Sequence, residues 1–184
     1  MHLLLATDGT LPVEAAVRHV ERLHRAGDQV AVMTAINLPR RLLKQLEAIA
    51  SSDADIGSVV DAAGPGFAGF GGGDRVAERL TRRSAGLPLD DVLERYHEQA
   101  AHTSTQPLLD ALADAGIEAE RVVRETQDRT AATIIDVCRE RGVDLLLIGS
   151  TGRGRFEGRV GATGTKLVRD APCDVLLLRV QQTR

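Results

Sequence analysis

Short apolar runs alternate with amphipathic stretches along this chain. Leu3–Thr7 (LLLAT) is continuously apolar and stops at Asp8-Gly9, as expected of a strand buried on both faces. Val13, Ala16, Val17, Val20, Leu23 and His24 then recur at spacings of three and four, which predicts one face of a helix. Thr10 is its candidate N-cap, Pro12 suits its first turn and Gly27 its stop. Val30–Ile36 (VAVMTAI) predicts a second buried strand. A long helix is predicted over Leu89–Ala115, with Pro107 a candidate kink and Gly116 the stop. Ile117–Arg124 alternates, which suits a strand nearer the sheet edge. The remaining predicted elements are a helix over Thr130–Arg141 stopped by Gly142, a strand at Val143–Ile148, a short helix at Ala162–Asp170 and a last strand at Cys173–Val180.

This alternation predicts an α/β fold: a five-stranded parallel sheet with helices on both faces and right-handed crossovers. Residues 1–184 are read as one domain carrying an insert at about 38–89. Within the insert, Arg40–Ala50 can form an amphipathic helix, whereas Gly64–Gly73 (GPGFAGFGGG) reads as a mobile glycine-rich loop. No apolar strand precedes that run and no Lys-Ser/Thr follows it, which argues against a phosphate loop there.

Composition narrows the function. Of the 184 residues, 43% are hydrophobic and 27% charged, enough for one core and a solvated surface. The net charge of −3 argues against extended nucleic-acid backbone binding. With one Tyr, three Phe and no Trp, base-stacking platforms are scarce. No run approaches a membrane span, and MHLLLATDGT lacks the basic start of a signal peptide, so a cytoplasmic protein without membrane contact is expected. Cys138 and Cys173 form no metal-ligand spacing and read as reduced thiols. His19 and His24 are five apart, as are His97 and His102, which is not the spacing of a helical zinc site.

Two segments carry chemistry. In open parallel sheets, ligands sit beyond the strand C-termini where strand order reverses. Asp8 follows the first predicted strand, where it can accept from a nucleoside or cap the next helix. Ile148–Ala171 (I-GSTG-RGRFEGRV-GATGTKLVRD-A) runs strand, glycine loop, helix. Gly149 and Gly152 allow close backbone approach, Gly161 stands at a helix start with free N–H groups, and Arg153, Arg155 and Arg159 can pair with phosphate. Ser150, Thr151, Thr163 and Thr165 add hydroxyls. A solvated strand-to-helix connection is the plainer reading of the same residues.

LLLATDGT, VAVMTAI, DLLLIGSTGRGRFEG and GTKLVRDAPCDVLLLRV together resemble a universal stress protein domain, over roughly residues 1–37 and 90–181. The resemblance implies a Rossmann-like fold of the adenine nucleotide alpha hydrolase type. It implies a regulatory module that binds ATP, or AMP or ADP, with or without Mg2+, through a G-x2-G-x9-G-S/T pattern. Carried onto this chain, the nucleotide site comprises Ala6, Thr7, Asp8, Ala35, Ile148, Gly149, Gly152, Arg153, Gly161, Ala162 and Thr163. With Gly161 as the third glycine, two departures stand out: the spacer Arg153–Val160 is eight residues long, and Ala162 occupies the Ser/Thr position; with a nine-residue spacer, Ala162 replaces the glycine and Thr163 is the hydroxyl. A homodimer through the C-terminal strand 173–180 is expected, since an exposed edge as hydrophobic as DVLLLRV should be covered, and a further protein partner is left unidentified. The S-G-G-x-D/S loop of related ATP-cleaving folds is replaced by A-T-D-G-T, so no catalytic residue is assigned and ATP hydrolysis is at most slow. The alternative is a homodimeric scaffold that binds no nucleotide. A flavin protein is disfavoured by DGTLP at residues 8–12 and by the few aromatics.

Overall fold

The computed structural model describes residues 1–37, 89–126, 129–150 and 160–179. Among them the elements run β1 (His2–Ala6), α1 (Val13–Leu23), β2 (Gln29–Asn37), α2 (Leu89–Asp114), β3 (Glu120–Thr126), α3 (Thr130–Arg141), β4 (Leu145–Gly149), α4 (Ala162–Asp170) and β5 (Asp174–Leu178). The expectations for 38–88, including the glycine-rich run 64–73, lie outside the described residues, as do Thr151–Arg159.

The five strands form one parallel sheet in the order β3-β2-β1-β4-β5. The chain builds outward from β1 through β2 to β3, then returns to the other side of β1 for β4 and β5. Strand order therefore reverses between β1 and β4. The alternation of side chains in β1 shows why its run is unbroken by polar residues. Leu3 and Leu5 join a core with Ala16 and Val20 of α1 and Leu108 and Leu112 of α2. Leu4 and Ala6 point to the opposite face, into a core with Ile134 and Ile135 of α3 and Leu167 of α4. A central strand covered by helices on both sides has no solvent face to fill.

Both predicted glycine stops of the longer helices hold. Gly116 has φ +73°, and the N–H groups of Gly116 and Ile117 reach the carbonyls of Ala113 and Leu112. Gly142 (φ +58°) and Val143 do the same with Arg139 and Cys138. This paired closure satisfies the last carbonyls of each helix and needs a left-handed residue. It also corrects the third strand. Ile117 is buried as the apolar residue of the α2 terminus, so β3 begins at Glu120 and not at Ile117.

At α1 the predicted caps fail. The N-cap is Pro12 with no side-chain cap, because Thr10 is held in the turn before it. The helix ends at Leu23, with the His24 N–H on the Val20 carbonyl, and Gly27 (φ +91°) turns the chain three residues later. At the last strand, β5 spans Asp174–Leu178, shorter than the predicted Cys173–Val180.

Candidate functional site

The strand registers shape a step at the C-terminal rim of the sheet. Ala6, the last residue of β1, lies opposite Met33 on one side and Ile148 on the other. Strands β2 and β3 continue together to the pair Asn37–Thr126, four residues beyond Met33. At ~3.3 Å per residue that ribbon projects about 13 Å past the end of β1. The N-terminal half of α2 backs it, with Tyr96 and Ala101 packed on Ile36. The floor of the step is the paired ends of β1 and β4, where strand order reverses.

On the floor, the Thr7 N–H continues the ladder to the Met33 carbonyl at 2.9 Å. The buried Thr7 hydroxyl oxygen accepts from the Gly9 N–H at 2.9 Å. Asp8 is exposed, and its Oδ1 accepts from both the N–H and the hydroxyl of Thr10. These contacts close a tight turn four residues ahead of the Pro12 cap, so Asp8 does not cap α1. Gly9 makes the turn possible. Its φ is +87°, and a Cβ there would stand 3.6 Å from the Ser104 backbone of α2.

Strand β4 delivers Ile148 and Gly149 beside Ala6 and Thr7. Ser150 is buried, with its N–H on the Leu178 carbonyl at 2.7 Å. Gly152 and Arg153, together with Thr151, Arg155 and Arg159, lie outside the described residues.

Helix α4 begins where the sequence predicts. Gly161 is its N-cap and supplies no side-chain cap, and its first turn holds no acidic residue. The first helical bond is from Thr165 N–H to the Gly161 carbonyl, 2.8 Å. The N–H groups of Ala162, Thr163 and Gly164 therefore precede the helical ladder and point along the axis, a geometry that favours an anion. Thr163 is half-buried, whereas the Thr165 hydroxyl is turned to the Val160 carbonyl at 3.4 Å. That contact takes Thr165 out of the set of free donors.

Sequence reasoning missed Gly164. A Cβ built there would meet Val160 Cγ1 at 2.8 Å and Ile148 Cδ1 at 3.8 Å. The absent side chain lets the first turn of α4 settle on the tip of β4. The signal was present as the second glycine in GATGT, but its meaning is a tertiary contact that no local pattern displays.

Ala35 stands two residues beyond Met33 on β2, as Asp8 stands two beyond Ala6, and it is half-buried against the α3 side. The structure thus brings Ala6, Thr7 and Asp8 together with Ile148 and Gly149 by register. It brings the α4 start to the same strand end through Gly164, with Ala35 on the adjoining wall.

Away from the step, His2 is buried, its Nδ1 2.8 Å from the Arg141 carbonyl. His97 Nδ1 lies 3.0 Å from Glu125, and its Nε2 is buried without a partner among the described residues. No three His, Cys, Asp or Glu side chains among the described residues gather as a metal site. No described helix is long and apolar enough to cross a membrane.

Comparison with known proteins agrees with this architecture. A sequence model described as the Universal stress protein family matches residues 75–179. Among solved structures, the hypothetical protein MJ0577 is 15% identical, with a TM-score of 0.54 over 99% of this chain and 97% of that one. A universal stress protein family protein from Arabidopsis thaliana, determined with AMP bound, is 10% identical. Its TM-score is 0.56, over 98% of this chain and 92% of that one. At these identities the likeness speaks to the fold. A search of curated protein sequences finds no match.

Proposed function

The chain belongs to the universal stress protein family, its match spanning residues 75–179, and from that membership we propose that it binds an adenosine nucleotide, ATP in the first place, at the β1–β4 step. The observation that carries this reading is the pairing of Ala6 with Ile148, which sets Asp8 and the glycine segment on neighbouring strand ends. In this arrangement the sugar or base meets Asp8 and the Ala35 backbone. The phosphates meet Gly149, Gly152, Arg153 and the open amides of Ala162 and Thr163. The replacement of the usual Ser/Thr by Ala162 removes one hydroxyl but no main-chain N–H, and Thr163 supplies a hydroxyl one position on. The AMP bound to the Arabidopsis relative supports an adenine nucleotide as the class of ligand. A Mg2+ ion accompanying ATP would be held chiefly by the phosphates and its own waters.

The reading is of a regulatory binding module that acts through a protein partner, with ATP turnover at most slow. The same chemistry suits ADP or AMP, and a titration across the three ranks them. Titration of the purified chain with a fluorescent ATP analogue tests the proposal, with Gly152→Val as the control. Saturable binding lost in the variant supports it, and no binding at millimolar analogue refutes it.

One observation favours a second reading, a homodimeric scaffold. Strand β5 is a sheet edge whose Val175, Leu176 and Leu177 are only half-buried. An apolar edge of this kind invites pairing with a second copy. Dimerisation is compatible with nucleotide binding, and the titration distinguishes a scaffold that binds none.

A further inference from the structure

The chain has two cysteines, and the fold brings them together from positions 138 and 173. Cys138 lies on the buried face of α3 and is 1% exposed. Cys173, the residue before β5, is half-buried and packs against the same core cluster. A short relay of backbone hydrogen bonds links the two segments that carry them. The Val143 N–H donates to the Cys138 carbonyl at 3.0 Å, and the Asp174 N–H donates to the carbonyl of Asp144, the next residue, at 3.2 Å. Both cysteines thus flank the entry to β4, at the rim of the sheet opposite the step.

We propose that Cys138 and Cys173 form a reversible intramolecular disulfide when the protein meets a hydroperoxide, cross-linking α3 to the edge strand β5. Cys173 is the first thiol oxidised, because it is the more accessible. Its thiolate sulfur bonds to one peroxide oxygen and the O–O bond breaks, which gives a sulfenic acid and a hydroxide that takes up a proton. Cys138 then loses its proton and attacks that sulfur. The S–S bond forms, the S–O bond breaks and water leaves. Two thiols and one hydrogen peroxide give one disulfide and two waters. Burial holds both thiols in the protonated form and pushes Cys138 up to about 12. The reaction is therefore slow at neutral pH and faster in alkali, as the thiolate is the nucleophile. In a reducing compartment both thiols stay free, as the sequence suggests. The link would anchor β5, which among the described residues has β4 as its one neighbour in the sheet.

The test treats the purified, reduced full chain with excess hydrogen peroxide at mildly alkaline pH, where the thiolate is more populated, then quenches, unfolds it in alkylating reagent and maps the peptides without reduction. The expected product is a monomer lighter by two hydrogens with a peptide joining Cys138 to Cys173. Its melting temperature rises by about 5 °C or more, and thiol reductant reverses the change. In Cys138→Ala, a dimedone adduct on Cys173 is expected in place of the cross-link. Oxidation of wild-type Cys173 to sulfinic acid with Cys138 still alkylated, a disulfide between two copies, or two intact thiols would each overturn the proposal. The wild-type map decides the matter even if the variant does not fold.

Discussion

Ala6 lies directly beside Ile148 in the sheet, although 142 positions separate them in the chain. That single pairing makes the two chemistry-bearing segments neighbours. Asp8 leaves its strand two residues after Ala6, and the glycine segment leaves the next strand one residue after Ile148. The proposed function follows from this adjacency, and several expectations follow from the contacts around it.

Replacing Asp8 separates its two readings. Asp8→Ala is expected to lower ATP affinity roughly tenfold or more, the effect of losing a charged acceptor. Because α1 is capped at Pro12, stability should fall by less than about 1 kcal/mol. Paired ATP titrations and urea unfolding curves check both parts. A large loss of stability with unchanged affinity would return Asp8 to a structural role.

Gly9→Ala should cost about 1–2 kcal/mol of stability, since φ at this position is +87° and a Cβ disfavours that region. Urea denaturation measures it. A neutral effect would mean that the turn readily adopts another conformation.

Most of the fold was legible in the sequence because β1, β2 and β4 are apolar on both faces and the intervening helices end at Gly116 and Gly142. What escaped were features set by longer-range contacts or by competing local bonds. Thr10 looks like a cap in sequence, yet the Asp8 carboxylate binds its N–H and hydroxyl. Ile117 looks like the start of a strand, yet its N–H closes α2 on Leu112. The step itself, built from the extra length of β2 and β3, depends on register, which the strand sequences alone do not display.

Gly164 offers a variant that should divide binding from folding. Ala is favoured over Gly in a helix by about 1 kcal/mol. The added Cβ, however, meets the end of the partly exposed Val160 side chain. These effects offset, so Gly164→Ala should change stability by less than about 1 kcal/mol. Displacing Val160 moves Gly161 and the open amides, so nucleotide affinity should fall several-fold. Calorimetric titration beside thermal melts reads both quantities, and equal affinity in the variant would exclude this helix start from the site.

A pH prediction rests on Glu120, whose two carboxylate oxygens accept from Arg141 at 2.6 and 2.7 Å. This pairing holds the Glu120 carboxyl below its ordinary value of 4.5. A lowered folded-state value contributes stability above the ordinary value and loses it as pH falls through the folded one. The pair is largely exposed, so Glu120→Gln should cost less than about 1 kcal/mol at pH 7. The gap between variant and wild type should shrink as pH drops below 4.5. Urea curves at successive pH values would reveal a gap that instead widens in acid, contrary to this assignment.

The most direct measurement is a heteronuclear NMR titration of the isotope-labelled chain with ATP. The account predicts saturable shifts, with one shared affinity, at the amides of Asp8, Ala35, Gly149, Ala162 and Thr163, while Gly142 and Ile117 at the opposite rim stay still. Shifts confined to that opposite rim, or none at millimolar ATP, would contradict it.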